Sequence, residues 1–236
     1  MRTSDEGILA ILTHEGIVPG PYRDSVGVWT YGVGHTAAAG GLDPADLPRG
    51  MPKDLDAELR NVMSVFRRDL AKFEERVNRA FKVPLTQHQF DAALSFDFNT
   101  GGILRASWVD LFNKGDKVGA AKRIMSWSRP PEIIERRKSE QALFRTGVYP
   151  ATNIPVWHVD GSGNVIWRRA RMIGRTDALA LLGRGYEGKT PTGRDAAKNG
   201  GAVASVGALL AAGGGAAYAF ACKIPLLSIF FQSCGG

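Results

Sequence analysis

Apolar residues recur at steps of three and four between positions 53 and 82, as Leu55, Leu59, Val62, Met63, Phe66, Leu70, Phe73, Val77 and Phe81. That period marks one buried helix face. Thirty residues of helix, whole or broken once, span about 45 Å, enough to join two lobes. A shorter apolar face (Ile8, Leu9, Ile11 and Leu12) follows Ser4, whose hydroxyl suits a helix N-cap, with Asp5 and Glu6 in the first turn. Gly16 and Pro19-Gly20-Pro21 end this helix and put Glu15 just past it. The pattern then changes. Residues 22–24 and 28–32 read as two strands around a turn at Ser25-Val26-Gly27, and the glycine- and proline-dense stretch 34–52 predicts a loop-rich small lobe.

Helical signals return at Thr86-Gln87-His88-Gln89, a capping-box spacing. The helix it opens carries Phe90, Ala93, Leu94 and Phe98 and stops at Thr100-Gly101-Gly102. Asp116 opens another, through Ala120, Ile124 and Met125 to Trp127, and Pro130-Pro131 breaks the chain. A last helix runs over 132–145, with Gly147 as its C-cap. Beyond Tyr149-Pro150, residues 154–159 and 164–169 predict a hairpin across Asp160-Gly161-Ser162-Gly163, followed by a short helix at 176–182. The expected organisation is a domain at 1–148, a basic hairpin extension at 149–183, a Gly- and Lys/Arg-rich linker at 184–200 and an apolar segment at 201–236.

Composition adds to this picture chiefly through charge. The 236 residues are 44% hydrophobic and 22% charged, which excludes a wholly disordered chain, and the net charge is +7. Residues 1–150 carry 21 Lys and Arg against 19 Asp and Glu, whereas 151–236 carry 9 against 4, so the excess lies in the C-terminal third. Such a surface favours polyanions, and charge alone does not choose among nucleic acid, acidic lipid and an anionic cell wall. Cys222 and Cys234 lie beyond the expected domains and lack the spacing of a zinc motif. The early acids Asp5 and Glu6 and the short apolar run 8–12 do not make a signal peptide, so the expected compartment is the cytoplasm. Residues 201–222 carry no charge and are numerous enough to cross a bilayer, yet are mostly Ala and Gly. They read either as a disordered tail or, the reading favoured here, as a weak membrane-associating segment. Lys189, Arg194 and Lys198 on its flank would then stay on the cytoplasmic side.

The candidate chemistry lies in Glu15, Asp24 and Thr30. With a turn centred on Gly27, positions 24 and 30 become cross-strand partners on one face of the sheet. The Gly-Pro connection can fold that face toward Glu15. Two carboxylates and a hydroxyl around one cleft match the needs of glycoside hydrolysis, in which one carboxylic acid protonates the leaving oxygen and one carboxylate handles water or the glycosyl cation. The acid must hold its proton near neutral pH, so it needs the less solvated position.

The stretches Thr13-His14-Glu15-Gly16, Tyr22-Arg23-Asp24 and 27–36 (GVWTYGVGHT) carry Asp nine residues after Glu and Thr six further on. This pattern resembles the signature of phage-type lysozymes, the endolysins of glycoside hydrolase family 24. Residues 85–92 (LTQHQFDA), Phe98-Asn99-Thr100-Gly101, Gly119-Ala120-Ala121 and 135–144 (ERRKSEQALF) resemble its later blocks, so the likeness covers about 4–148. It implies an α+β, lysozyme-like fold, with a small β-hairpin lobe and a helical lobe joined by a long helix. It also implies Glu15 as general acid on the β-1,4 bond between N-acetylmuramic acid and N-acetylglucosamine of peptidoglycan. Asp24 and Thr30 would hold the attacking water, with inversion and without metal or organic cofactor.

Asn99, Tyr22 and Trp29 are candidate substrate contacts, and His35 is expected to pair with an acid and brace the hairpin. Asp97 is expected to be either paired or turned to water. Arg67-Arg68 and Arg136-Arg137 read mostly as solvated helix faces and ion-pair partners. A cytoplasmic enzyme of this kind reaches the wall at host lysis, with dependence on a holin or a membrane-held tail as its control. Rival readings are a lytic transglycosylase, for which Asp24 and Thr30 would be idle, and a non-catalytic wall- or membrane-binding protein. Nucleic acid is not an expected partner, because 168–198 shows no recognised module.

Overall fold

A computed structural model describes residues 1–183. The expected linker and apolar segment, with both cysteines, lie outside the described residues. Helix α1 (Asp5–Glu15) leads into a three-stranded antiparallel sheet of β1 (Val18–Arg23), β2 (Trp29–Gly32) and β3 (His35–Thr36). Helix α2 (Leu55–Ala80) connects this sheet to α3 (Gln87–Thr100), α4 (Ser107–Asn113), α5 (Lys117–Ile124) and α6 (Ile134–Thr146). The chain returns as an antiparallel hairpin, β4 (Asn153–Val159) and β5 (Val165–Gly174), and continues into α7 (Arg175–Gly183). Mixed helix and sheet in a lysozyme-like arrangement is the fold class read from the sequence.

Local chemistry explains the elements. Ser4 caps α1 by accepting from Gly7 N, and Asp54 caps α2 by accepting from Ala57 N. Helix α2 is one unbroken rod of 26 residues that buries Leu59, Val62, Met63, Phe66, Leu70 and Val77. Thr86 and Gln89 form the reciprocal capping box that opens α3. Every residue of α3 from 90 to 97 is buried, so this helix is the centre of the helical lobe. Around it Trp108 packs on Phe81, Phe96 and Phe144 with ring centroids 5.6, 5.2 and 5.2 Å away. Helix α4, which supplies Trp108, Val109 and Phe112 to that core, is not anticipated by the sequence reading. Its N-cap is Ala106, with no side-chain capping bond, so the usual start signal is missing.

Two expectations are corrected. Glu15 is the last residue of α1 rather than the first beyond it. The first hairpin pairs Tyr22 with Thr30 and Arg23 with Trp29, so its turn is centred on Val26 and not on Gly27. The cause is local: Asp24 Oδ1 accepts from both Val26 N and Val28 N at 2.9 Å. Asp24 N in turn donates to Val28 O at 3.0 Å, which sets Asp24 opposite Val28.

The C-terminal hairpin is fastened to both lobes. Ile17 N donates to Pro155 O and Trp157 N to Ile17 O, each at 2.8 Å, and Arg23 N donates to Gly163 O at 2.9 Å. Ile154, Val156 and Ile173, with Ala178 and Leu182 of α7, join the same core as α1 and α2. Val159 packs instead with Val18 and Tyr22 of the small lobe.

Candidate active site

Glu15 ends α1 because Gly16 follows it at φ 69, a left-handed turn that glycine adopts without strain. The carboxylate points inward and is 6% exposed. Its partner is Arg136 of α6, whose Nη1 donates to Glu15 Oε1. The same guanidinium donates through Nε to Glu140 Oε1 at 3.0 Å and through Nη2 to Ser95 O at 3.2 Å. Glu140 also accepts from Ser95 Oγ at 2.8 Å and from Arg137 Nη1. Arg137 completes the chain, donating to Asn99 Oδ1 at 2.5 Å and to Trp127 O at 3.2 Å.

This corrects the reading of Arg136 and Arg137 as solvated: both are buried, at 4% and 0% exposure, although both are ion-pair partners as expected. Burial works against the charge of Arg136, but Glu15 and Glu140 together outweigh it and raise its pKa. Arg137 has only Glu140 against burial, and Arg136 repels it, so its pKa is lowered. By contrast, Arg67 is exposed and pairs with Asp5 at 2.5 Å. His14, beside Glu15, has its pKa lowered to about 4 by burial, then by Arg136, with Glu140 opposing and Arg137 adding to the effect.

The hairpin faces this network through Tyr22. Burial first, then the carboxylates of Glu15 and Asp24, raise the phenol's pKa, so both carboxylates act on one ring. Asp24 is half-buried at the turn, and both its amide contacts fall on Oδ1. Thr30 is 2% exposed, and its hydroxyl donates to Val28 O at 3.2 Å. Tyr22 itself is packed among Val18, Val159, Met51 and Trp157. Trp29 is half-buried, with the guanidinium groups of Arg49 and Arg23 at 3.6 and 4.4 Å from its ring centroid.

His35 lies on β3 at 2% exposure, with Nδ1 2.7 Å from Asp69 Oδ2 and Nε2 2.9 Å from Leu42 O. Asp97 is fully buried and paired with Arg76 at 2.9 Å. Burial raises its pKa, with the Ile103 amide, then Arg76 and Arg105, acting against the rise. A shallow hollow between Gly40, Gly41 and the α2 residues Arg68, Asp69, Lys72 and Glu75 contains none of Glu15, Asp24 and Thr30.

Sequence reasoning missed the roles of Ser95, Arg136, Arg137 and Glu140. The available signal was the spacing Arg136, Arg137, Glu140 on a helix, which puts the acid within ion-pair reach of both bases.

The sequence model of the phage lysozyme family matches residues 12–140. The chain belongs to that family. An endolysin of Acyrthosiphon pisum secondary endosymbiont phage 1 is 31% identical over 157 residues, covering 62% of this chain and 99% of its own. The endolysin of Salmonella phage P22 is 33% identical over 150 residues, covering 61% of this chain and 98% of its own. Among solved structures, an endolysin from Escherichia coli O157:H7 phage FAHEc1 aligns with a TM-score of 0.53 at 28% identity, covering 64% and 97% of the two chains. As a phage lysozyme the protein is a glycosidase that degrades peptidoglycan. The family match ends before β4, so the hairpin and α7 are additions to the matched region.

Proposed function

We propose that the enzyme hydrolyses the β-1,4 bond between N-acetylmuramic acid and N-acetylglucosamine with inversion, using Glu15 as general acid and Asp24 with Thr30 to hold the attacking water. The supporting observation is the unlike setting of two carboxylates that act on one phenol: Glu15 buried at a helix end, Asp24 half-exposed at a hairpin turn. Inverting hydrolysis needs that division between a protonated acid and an ionised base. Water attacks the anomeric carbon, Asp24 takes its proton, and Glu15 delivers a proton to the departing sugar oxygen. In this reading Asn99 meets substrate through its amide nitrogen, since Oδ1 accepts from Arg137. Tyr22 and Trp29 shape the hairpin, and His35 braces β3 against α2.

The test is mass spectrometry of peptidoglycan digested by the wild type and by Glu15→Gln. Reducing-end products from the wild type and almost none from the variant are expected. Anhydro-sugar ends would instead make the enzyme a lytic transglycosylase and leave Asp24 and Thr30 without a water to hold.

The same reading places the enzyme in the host cytoplasm until lysis, with a holin or the apolar segment 201–236 controlling its access to the wall. No described helix is long and apolar enough to cross a membrane. Fractionation of the full chain against one ending at Arg194 tests the segment. Membrane recovery of the full chain alone is expected, and identical soluble recovery would remove the segment from the mechanism.

A further inference from the structure

The mechanism above uses Glu15 but gives no task to Glu140, a carboxylate 3% exposed in the middle of the helical lobe. The partners of Glu140 are the two arginines beside it and the Ser95 hydroxyl. With Glu15 ionised the cluster holds two cations, Arg136 and Arg137, and two anions, so it is balanced. A general acid must instead carry a proton before reaction, and the cluster then holds two guanidinium charges against the single charge of Glu140.

We propose that Glu140 is a positioning residue for the catalytic acid: by neutralising one of the two buried guanidinium charges, it permits Glu15 to be protonated while Arg136 still orients it. This inference rests on Glu15 being the acid. The carboxylate is also placed for orientation, because one oxygen receives both Arg136 Nε and Ser95 Oγ. That fixes the plane of the guanidinium whose other edge holds Glu15. Its second oxygen holds Arg137, and through Arg137 the Asn99 side chain.

The other groups facing Glu15 do not take this task. His14 on α1 is held neutral around pH 7, its pKa lowered to about 4 chiefly by burial. The Tyr22 phenol on β1 is pushed up by burial and stays protonated. Asp24 is on the hairpin turn, tied to Val26 and Val28. Ser95 on α3 contributes a hydroxyl and a carbonyl, neither of which titrates.

The sign of the effect follows. Removing the charge of Glu140 leaves two unopposed cations beside Glu15, which favours its ionised, inactive form. The alkaline limb of the activity profile should move to lower pH in Glu140→Gln. A displacement of about one pH unit corresponds to a roughly tenfold loss of protonated acid on the alkaline side. Arg137→Met removes a cation instead and should move the limb to higher pH. The double variant restores the count of charges and should return it toward the wild type.

The experiment is the pH dependence of kcat and KM on purified peptidoglycan fragments for the full-length wild type, Glu140→Gln, Arg137→Met, the double variant and Glu15→Gln. Expected are opposite limb displacements in the two single variants, carried in kcat with little change in KM, and activity of Glu140→Gln that recovers at acidic pH. A purely structural role would lower activity equally at all pH values and shift neither limb. Glu15→Gln inactive, with no limb displacement in whichever single variant folds, overturns the proposal while the assignment of the acid stands. Full activity of Glu15→Gln overturns both.

Discussion

The two carboxylates proposed as acid and base are held by opposite means. Asp24 is fixed by its own turn, through amides two and four residues away. Glu15 is fixed by Arg136, a residue 121 positions distant, inside a network whose charged members Arg136, Arg137 and Glu140 are all buried. Local amides leave a carboxylate solvated and ready to act as a base. Distant, buried charges set the orientation of an acid, but they tie its behaviour to the packing of α1, α3 and α6. The same division separates stability from activity: damage at the turn stays local, whereas damage in the network spreads through the core.

The largest effect tests that spread. Arg136→Met leaves Glu15 and Glu140 buried without their shared cation. Breaking a buried pair in this way costs about 3–5 kcal/mol, and urea denaturation should show it. A loss below about 1 kcal/mol would mean that the network adds orientation without holding the lobes together. Next in size is Ile154→Ala on β4. Ile154 is fully buried in the core shared with α1, so a loss of about 3 kcal/mol is expected. A near-neutral result would mean that the hairpin is an appendage to the catalytic fold.

How much of this was legible in the sequence follows the same local and distant line. The caps at Ser4 and Thr86 and the apolar stripe of α2 are short-range signals, and each helix they marked is present. The spacing of Glu15, Asp24 and Thr30 is equally short-range, and the structure sets these residues on a helix end and the hairpin that follows it. The burial of Arg136 and Arg137 is not a short-range property. Residues 135–141 of helix α6 are all polar, and the approach of Glu15 and Ser95 from other helices makes the charges of Arg136 and Glu140 internal. The docking of β4 on Ile17 likewise joins segments about 140 residues apart. The first hairpin's turn centre differs from the sequence reading by one residue, and its strand pairing by two, because Asp24 Oδ1 closes the turn around Val26, a choice the glycine at 27 obscures.

His14 gives a smaller effect with a defined pH window. Its pKa is lowered from 6.5 to about 4, chiefly by burial, so between these values the unfolded chain binds the proton more readily. The neutral ring's contribution is fully present above about pH 6.5 and is lost as the pH falls through about 4. The loss is on the order of 1–3 kcal/mol. His14→Asn should flatten the slope of stability against pH across that window, and an unchanged slope would assign the acid sensitivity to the carboxylates.

The smallest stability effect is also the sharpest test of the turn. Asp24→Asn keeps the oxygen that accepts from Val26 and Val28, so the hairpin should retain its register and its stability within about 0.5 kcal/mol. Asp24→Ala removes the acceptor from two amides at an exposed turn and should cost about 1 kcal/mol. Both variants lack the carboxylate proposed to take the proton from water, so both should lose at least about a hundredfold in kcat. If Asn retains activity where Ala does not, Asp24 acts by shaping the turn, and the base must be sought elsewhere. Equal loss in both, with unequal stability, separates its two tasks: Oδ1 folds the hairpin, and the charge serves the reaction.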